Sequence, residues 1–197
     1  MDRGNPEDTA TAMSAVRVLL LPGWLDSGPG HWQTLWQQQH GWERVVQADW
    51  LWPRRGDWMA RLDEVLMDPP AAGVARRPAL LAAHSLGCQL VAAWAAHSRH
   101  TDRVRAALLV APPDTERADV PPQLSGWRPM VRNRLPFRSH VIYSDDDPYG
   151  AADVARLLAA HWGSSAESAG PCGHINAESG LGSWPLGLQR LAELGQT

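Results

Sequence analysis

One serine, placed between an apolar run and a stretch of small residues, constrains this chain most. Residues 79–82 (Ala-Leu-Leu-Ala) predict a buried strand, and residues 86–97, rich in Ala and Leu, predict a helix that begins directly after it. A serine at such a turn exposes its Oγ at the end of the strand, and the positions two before and two after it must be small. Ala83 and Gly87 meet that requirement around Ser85. Ser85 is therefore a candidate nucleophile.

Length and charge favour one ordinary globular domain. Of the 197 residues, 1–14 are polar and aperiodic and predict a disordered leader, which leaves 15–197 as a single domain. A net charge of −3 gives no case for nucleic acid or an acidic membrane as partner. The apolar run 18–21 is too short for a signal peptide or a membrane span, so a cytoplasmic location is expected.

The basic residues and cysteines exclude several chemistries. All 18 basic residues are arginine, which removes mechanisms that need a lysine, such as phosphate-binding P-loops and Schiff bases. Cys88 and Cys172 lie far apart and form no Cys-x-x-Cys pattern, so neither a disulfide framework nor a zinc ribbon is expected. We expect no cofactor.

Strand and helix patterns alternate along the chain, which predicts an α/β fold with a mostly parallel sheet covered by helices on both faces. The predicted strands are residues 16–21, 43–48, 79–83, 104–110, 139–144 and 165–169, and the predicted helices are 31–40, 57–67, 86–97, 151–162 and 186–194.

The segment 111–136 interrupts this alternation. It contains six prolines and a mixture of acidic and basic residues, so it forms a long excursion between two strands. Loops that follow parallel strands commonly carry function, which favours a cap or a pocket wall. An irregular surface loop is the equal alternative.

A base and an acid follow Ser85 in the chain. His174 lies between Gly173 and Ile175, in a loop that follows the last predicted strand and also contains Gly170. Three consecutive aspartates follow the predicted strand 139–144. Serine, then acid, then histidine is the chain order of α/β-hydrolases. His174 is the predicted general base, since it can take the serine proton while a carboxylate orients its ring.

Three consecutive aspartates leave the acid open. Asp147 precedes a proline, which disfavours helix at that position and favours a turn just past the strand. We rank Asp147 first, Asp146 second and Asp145 third. A turn and helix cap without catalytic role is the alternative for the whole trio.

Two backbone N–H groups are expected to form an oxyanion hole. One belongs to Leu86, at the N-terminus of the helix that follows the serine. The other is assigned to Trp24, in the glycine-rich loop after the first strand, where Gly23 allows close approach.

These pieces together give the chain a likeness to a known family. The segments Leu-Pro-Gly-Trp24, Gly30-His31-Trp32, Ala-His-Ser85-Leu-Gly, Asp147-Pro148-Tyr149 and Gly173-His174-Ile-Asn-Ala-Glu-Ser-Gly180, with Trp184-Pro185, span nearly the whole folded chain. On them, the chain resembles the small single-domain α/β serine hydrolases related to retinoblastoma-binding protein 9.

The resemblance implies a compact α/β-hydrolase fold with about six parallel strands in the order 2-1-3-4-5-6. It also implies a triad of Ser85, Asp147 and His174. Gly23, His31, Trp32 and Trp184 lie in or beside the matching segments and are predicted to bind substrate.

The predicted function is hydrolysis of a small ester, thioester or amide, with a small acyl compound of short chain as substrate. The alternative is a non-catalytic module that binds a protein partner through its early tryptophans, which are Trp24, Trp32, Trp36, Trp50, Trp52 and Trp58. A metal-dependent hydrolase ranks third, on the pair His97 and His100.

Overall fold

The structure is a computed structural model that describes residues 17–69 and 77–196. The predicted leader, 1–14, lies outside the described residues. Strands and helices alternate as expected. The strands are β1 (Val18–Leu21), β2 (Glu43–Arg44), β3 (Ala79–His84), β4 (Val104–Val110), β5 (Arg138–Tyr143) and β6 (Ser165–Ser168); the helices are α1 (Trp32–His40), α2 (Arg55–Met67), α3 (Leu86–His97), α4 (Ala152–Trp162) and α5 (Pro185–Gln196).

All six strands form one parallel sheet in the order β2-β1-β3-β4-β5-β6. This confirms the predicted order 2-1-3-4-5-6. Each residue of β3 is buried, as is all of β4 except Arg105, because helices cover the centre of the sheet on both faces.

Alternate residues of each strand supply two separate cores. Leu19 and Leu81 point to one face, where they pack in a cluster with residues of α2, α3 and α4. Leu20 and Leu80 point to the opposite face and join a cluster with residues of α1 and α5. The period of two along each strand therefore serves both faces of the sheet.

The predicted boundaries of α3 and β4 are the observed ones, whereas β2 is shorter than predicted. It covers two residues instead of 43–48, because it lies at the sheet edge and pairs only with β1. Val45 N–H still donates to the Leu20 carbonyl, and beyond it Val46 is exposed.

The excursion 111–136 packs back onto the molecule. It contains a short 3₁₀ segment, Pro122–Trp127, and the Trp127 side chain is buried. Leu124, Met130 and Leu135 join the core on the side of α2 and α3. The excursion is thus an ordered layer beside the carboxyl end of β4.

Tryptophan indoles fasten loops to this framework. Among the described residues, seven indole N–H groups donate to a backbone carbonyl or a carboxylate: Trp24 to Leu51, Trp32 to Ile175, Trp36 to Ser183, Trp58 to Asp49, Trp94 to the Asp63 carboxylate, Trp127 to Pro53 and Trp162 to Val131. Each of these side chains fills apolar volume and also satisfies a polar group, which Phe could not do.

Across residues 17–69 and 77–196, no helix is both long and apolar enough to cross a membrane.

Candidate active site

The turn of residues 83–87, termed the serine turn below, carries Ser85 in a strained conformation with φ 54° and ψ −123°. A positive φ is unfavourable for a residue with a side chain, so the surroundings must hold it. The Ser85 N–H donates to the Val110 carbonyl at 2.8 Å, and the Ser85 carbonyl accepts from Cys88 N–H at 2.8 Å. These bonds tie the turn to β4 and to the first turn of α3.

Two glycines let the backbone pack closely around this turn. A Cβ on Gly87 would overlap the Leu21 carbonyl oxygen, and a Cβ on Gly23 would lie 2.7 Å from the Ser85 Cβ. Ala83, by contrast, fits within β3 with its side chain fully buried. Glycine is therefore required after the serine, and alanine is tolerated before it.

His174 links Ser85 to an acid. Its Nε2 lies 2.8 Å from the Ser85 Oγ, and its Nδ1 lies 2.9 Å from both carboxylate oxygens of Asp147. Because an ionised carboxylate only accepts, Nδ1 carries the proton and Nε2 is left to accept from the serine hydroxyl. The Asp147 side chain is 2% exposed and the His174 side chain 10%.

The three aspartates have three different partners. Asp145 accepts from Ser168 Oγ at 2.7 Å. One Asp146 oxygen accepts from Ser144 Oγ and from the Gly173 N–H, each at 2.7 Å, and the hydrogen bond from Ser144, then that from Gly173, holds the Asp146 pKa below its usual value. Only Asp147 of the trio contacts His174. The geometry agrees with ranking Asp147 first.

A cavity of about 480 Å³ opens at Ser85 and His174. Trp24 and Leu86, the two residues assigned to the oxyanion hole, both line it. Leu86 begins α3, where N–H groups lack partners within the helix. Val120 and Leu124 of the excursion form part of the wall, so of the two readings of 111–136 the structure favours the pocket wall.

The four predicted substrate-binding residues divide. His31 lies on the cavity wall, but Gly23, Trp32 and Trp184 lie behind it. Gly23 packs against the serine turn, and the indoles of Trp32 and Trp184 are buried, 5.2 Å apart between ring centres. Their contacts belong to the packing beneath the site, so substrate contact by these three stays a prediction that the cavity lining does not support.

The early tryptophans do not form one exposed surface. Trp32, Trp36 and Trp58 are buried, Trp24 and Trp50 are partly buried, and the Trp52 side chain is half exposed. Their concentration in sequence reflects core packing and cavity lining more than a contact surface.

Sequence reasoning missed His84, the residue directly before the nucleophile candidate. It is buried, its Nε2 lies 2.8 Å from the His174 carbonyl oxygen, and its ring centre lies 4.8 Å from that of His174. Burial, then the neighbouring His31 and His174, holds the His84 pKa well below its usual value. The available signal was a histidine at the end of a wholly apolar strand, where a neutral, hydrogen-bonded side chain is expected.

His31 is a second neutral histidine beside the cavity. Its Nδ1 accepts from the Gln33 N–H and caps α1. Burial, followed by the charges of Arg44 and His174, lowers its pKa to about 3. His31 therefore remains uncharged at neutral pH and lies in ring contact with His84, with ring centres 4.6 Å apart.

Charged side chains on the cavity wall are mostly acidic. Asp26, Asp114, Asp119 and Glu178 line it, with Arg117 as the single cation of the lining. Arg117 pairs with Asp119 and also donates to the Pro148 carbonyl, next to Asp147. The excursion is thereby fastened to the loop that carries Asp147.

Within the described residues, no group of three or more His, Cys, Asp or Glu side chains is arranged to hold a metal ion. His97 Nδ1 donates to the Ala93 carbonyl, and His100 pairs with Asp63, so the two histidines singled out for a metal have other partners. Both cysteines are free, and burial raises the pKa of the Cys88 thiol.

A family comparison defines the class of this chain. Residues 18–193 match the profile of a family described as serine hydrolase. The chain belongs to that serine hydrolase family. The match covers every strand of the sheet and the loops that carry Ser85, Asp147 and His174. No curated protein sequence matches this chain.

Solved structures show the same fold for this serine hydrolase. A protein described as a ydeN-like hydrolase, from Pectobacterium atrosepticum, shares 26% identity over 98% of both chains with a TM-score of 0.81. The ydeN gene product from B. subtilis shares 20% identity over 92% of this chain and 100% of its own, with a TM-score of 0.69. Carboxylesterase CesB from Bacillus subtilis shares 15% over 90% of this chain and 82% of its own, with a TM-score of 0.57.

These neighbours confirm the compact α/β-hydrolase fold. The narrower resemblance, to proteins related to retinoblastoma-binding protein 9, stays a prediction.

Proposed function

We propose that this serine hydrolase cleaves a small carboxylic ester, thioester or amide through an acyl-enzyme on Ser85. His174 acts as the general base and acid, and Asp147 orients its ring. The observation that carries the proposal is the unbroken hydrogen-bond chain from Ser85 Oγ through His174 to Asp147, which lies at the cavity.

The reaction follows from these contacts. Ser85 Oγ attacks the carbonyl carbon of the substrate as its proton moves to His174 Nε2. The oxyanion that develops accepts hydrogen bonds from the N–H groups of Leu86 and Trp24. When the tetrahedral intermediate collapses, the bond to the leaving group breaks and His174 returns the proton to that group.

A water molecule completes the cycle. It gives a proton to His174 Nε2 and attacks the acyl carbon, and a second tetrahedral intermediate forms. As it collapses, the bond between Ser85 Oγ and the acyl carbon breaks, the acid is released, and His174 returns the proton to Ser85 Oγ. Asp147 stabilises the imidazolium in both halves, because its carboxylate accepts the Nδ1–H throughout.

Labelling by a fluorophosphonate probe tests this proposal. Wild type is expected to react at Ser85, and Ser85→Ala is expected to stay unlabelled and to lose hydrolysis of 4-nitrophenyl acetate. Ser125→Ala is the matched control, because Ser125 is exposed and outside the cavity lining. A folded wild type that takes no label would overturn the proposal; retention of a protein partner by such a protein would favour the non-catalytic alternative.

We also propose that the acyl chain is short and that the enzyme acts in the cytoplasm. Within the described residues, the protein has one excursion beside the site and little material for a large lid. Nitrophenyl esters of two and twelve carbons distinguish short from long acyl chains. A higher kcat/KM for the twelve-carbon ester would contradict a short-chain preference.

A further inference from the structure

The loop of residues 170–176, termed the histidine loop, has a left-handed backbone conformation on both sides of His174. Gly173 and Ile175 take φ values of 56° and 47°. Glycine adopts such a conformation freely, but a β-branched isoleucine does not. Something other than local preference must therefore hold the loop in the shape that places His174 against Ser85.

Two ring N–H groups donate hydrogen bonds to the carbonyls of His174 and Ile175. His84 Nε2 lies 2.8 Å from the His174 carbonyl oxygen, and Trp32 Nε1 lies 3.0 Å from the Ile175 carbonyl oxygen. A carbonyl only accepts, so both ring nitrogens donate and His84 must carry its proton on Nε2. Consecutive peptide groups are thus held by donors from β3 and α1.

Both donors are rigid. The side chains of His84 and Trp32 are 5% and 1% exposed, and their rings lie edge to face with centres 6.1 Å apart. His84 precedes Ser85 directly, so the bond from His84 joins the backbone of the nucleophile to the backbone of the histidine 90 positions later. Neither hydrogen bond involves Ser85 Oγ, His174 Nε2 or any other reacting atom.

We propose that His84 and Trp32 are positioning residues, which keep His174 Nε2 within reach of Ser85 Oγ by fixing the carbonyls of His174 and Ile175. This inference rests on the proposed function for its effect on turnover. It assigns both residues a role in loop geometry, although His84 also lines the cavity.

Substitutions at position 84 separate the hydrogen bond from the volume of the ring. His84→Leu fills the space without a donor and is expected to lower kcat at least tenfold, with KM changed less than threefold. His84→Gln restores an N–H at nearly the same reach and is expected to recover most of kcat. A merely structural histidine would show no such rescue, since leucine suits a buried site better than glutamine.

Tryptophan variants provide a matched pair. Trp32→Phe and Trp36→Phe each delete one indole N–H from α1, but the Trp36 N–H donates to the Ser183 carbonyl, outside the histidine loop. We expect Trp32→Phe to lower kcat about threefold to tenfold and Trp36→Phe to leave kcat unchanged. Equal kcat values for the two variants would overturn the role of Trp32.

A spectroscopic measurement tests the positioning without turnover. The His174 Nδ1–H, held by Asp147, is expected to give a low-field proton resonance in wild type, Ser85→Ala and His84→Gln, and to lose or broaden it in His84→Leu. A His84→Leu protein that is folded by circular dichroism and keeps both the resonance and kcat would overturn the proposal. If wild type neither takes the fluorophosphonate nor turns over esters, the proposed function fails, and the resonance alone decides the positioning.

Discussion

The Ser85 Oγ and the His174 Nε2 lie 2.8 Å apart, yet the segments that carry these two residues are held by different kinds of contact. The serine turn is fixed by backbone groups and by glycines that admit neighbouring backbone, so almost no side chain is involved. The histidine loop is fixed by side-chain donors and acceptors from distant parts of the chain, His84 and Asp146 among them. One half of the site depends on the absence of side chains, and the other half depends on their presence.

The difference has a consequence for substitution. A larger residue in the serine turn must displace backbone, so its effect is on stability as a whole. A change around the histidine loop removes one hydrogen bond, and its effect falls first on the geometry of His174. Variants in the two segments should therefore differ in whether activity or stability changes more.

Replacing Asp147 is expected to have the largest effect on activity, because its carboxylate orients the His174 ring. Asp147→Asn presents an amide to Nδ1, which favours the tautomer whose Nε2 cannot accept from Ser85. We expect kcat to fall about 10⁴-fold, as for this substitution in other serine triads, with the fold retained by circular dichroism.

Asp146→Asn is the matched control for that measurement, because Asp146 contacts the Gly173 N–H and not the ring. A fall of less than about tenfold is expected from a change that only loosens the loop. Should Asp146→Asn lose as much activity as Asp147→Asn, the role of orienting acid would move to Asp146 or be shared.

Gly87→Ala tests how tightly the serine turn is packed. The added Cβ overlaps the Leu21 carbonyl oxygen, and neither backbone can move without disturbing the sheet. We expect a loss of about 3 kcal/mol in the free energy of unfolding, near the upper end for overpacking. Urea unfolding followed by tryptophan fluorescence measures it.

Gly126→Ala provides the comparison, since nothing lies within 4 Å of the Cβ it would add. Its effect on the free energy of unfolding is expected to stay within about 0.5 kcal/mol. Equal stability of Gly87→Ala and wild type would show that the serine turn is less tightly packed than its contacts imply.

Acid should lower the stability of the fold through its buried, neutral histidines. Burial lowers the pKa of His31 to about 3, whereas in the unfolded chain it titrates near its usual value of about 6.5. Between these values the unfolded state binds a proton that the folded state does not. Stability is therefore fully present above about pH 6.5 and falls by up to about 1.4 kcal/mol per pH unit below it. His84 acts in the same direction.

His31→Asn isolates this contribution, because asparagine can still cap α1 but does not titrate. Urea unfolding at pH 7, 6 and 5 should give a smaller decline for the variant than for wild type. His161→Asn, exposed on α4, should decline like wild type. Parallel curves for wild type and His31→Asn would contradict the burial of a neutral histidine at that position.

The same contrast explains what could be predicted from sequence. The serine turn is a local pattern, in which an apolar strand, a serine and a small-residue helix follow one another within about 20 residues. The bounds of α3 and β4 follow from such patterns. The order of the strands was implied by the family resemblance, which the sheet confirms. Ser85, Asp147 and His174 could also be proposed from the sequence, because their order along the chain is the order of α/β-hydrolases.

The contacts that hold the histidine loop could not be predicted from the sequence in this way. The partner of His84 is a carbonyl 90 positions away, and the partner of Trp32 is one 143 positions away. No periodicity or spacing encodes such bonds. Sequence patterns therefore do not reveal that the Trp32 and Trp184 side chains are buried in the packing under the site.

The indole donors described for the fold have one more consequence. An indole N–H carries no charge and does not titrate, and a carbonyl acceptor is equally indifferent to pH and ionic strength. Six of the seven fastenings join an indole to a backbone carbonyl, so they should hold their loops in high salt as firmly as in dilute buffer. In a chain with a single phenylalanine and eleven tryptophans, these six loop contacts are therefore independent of the ionic conditions around them.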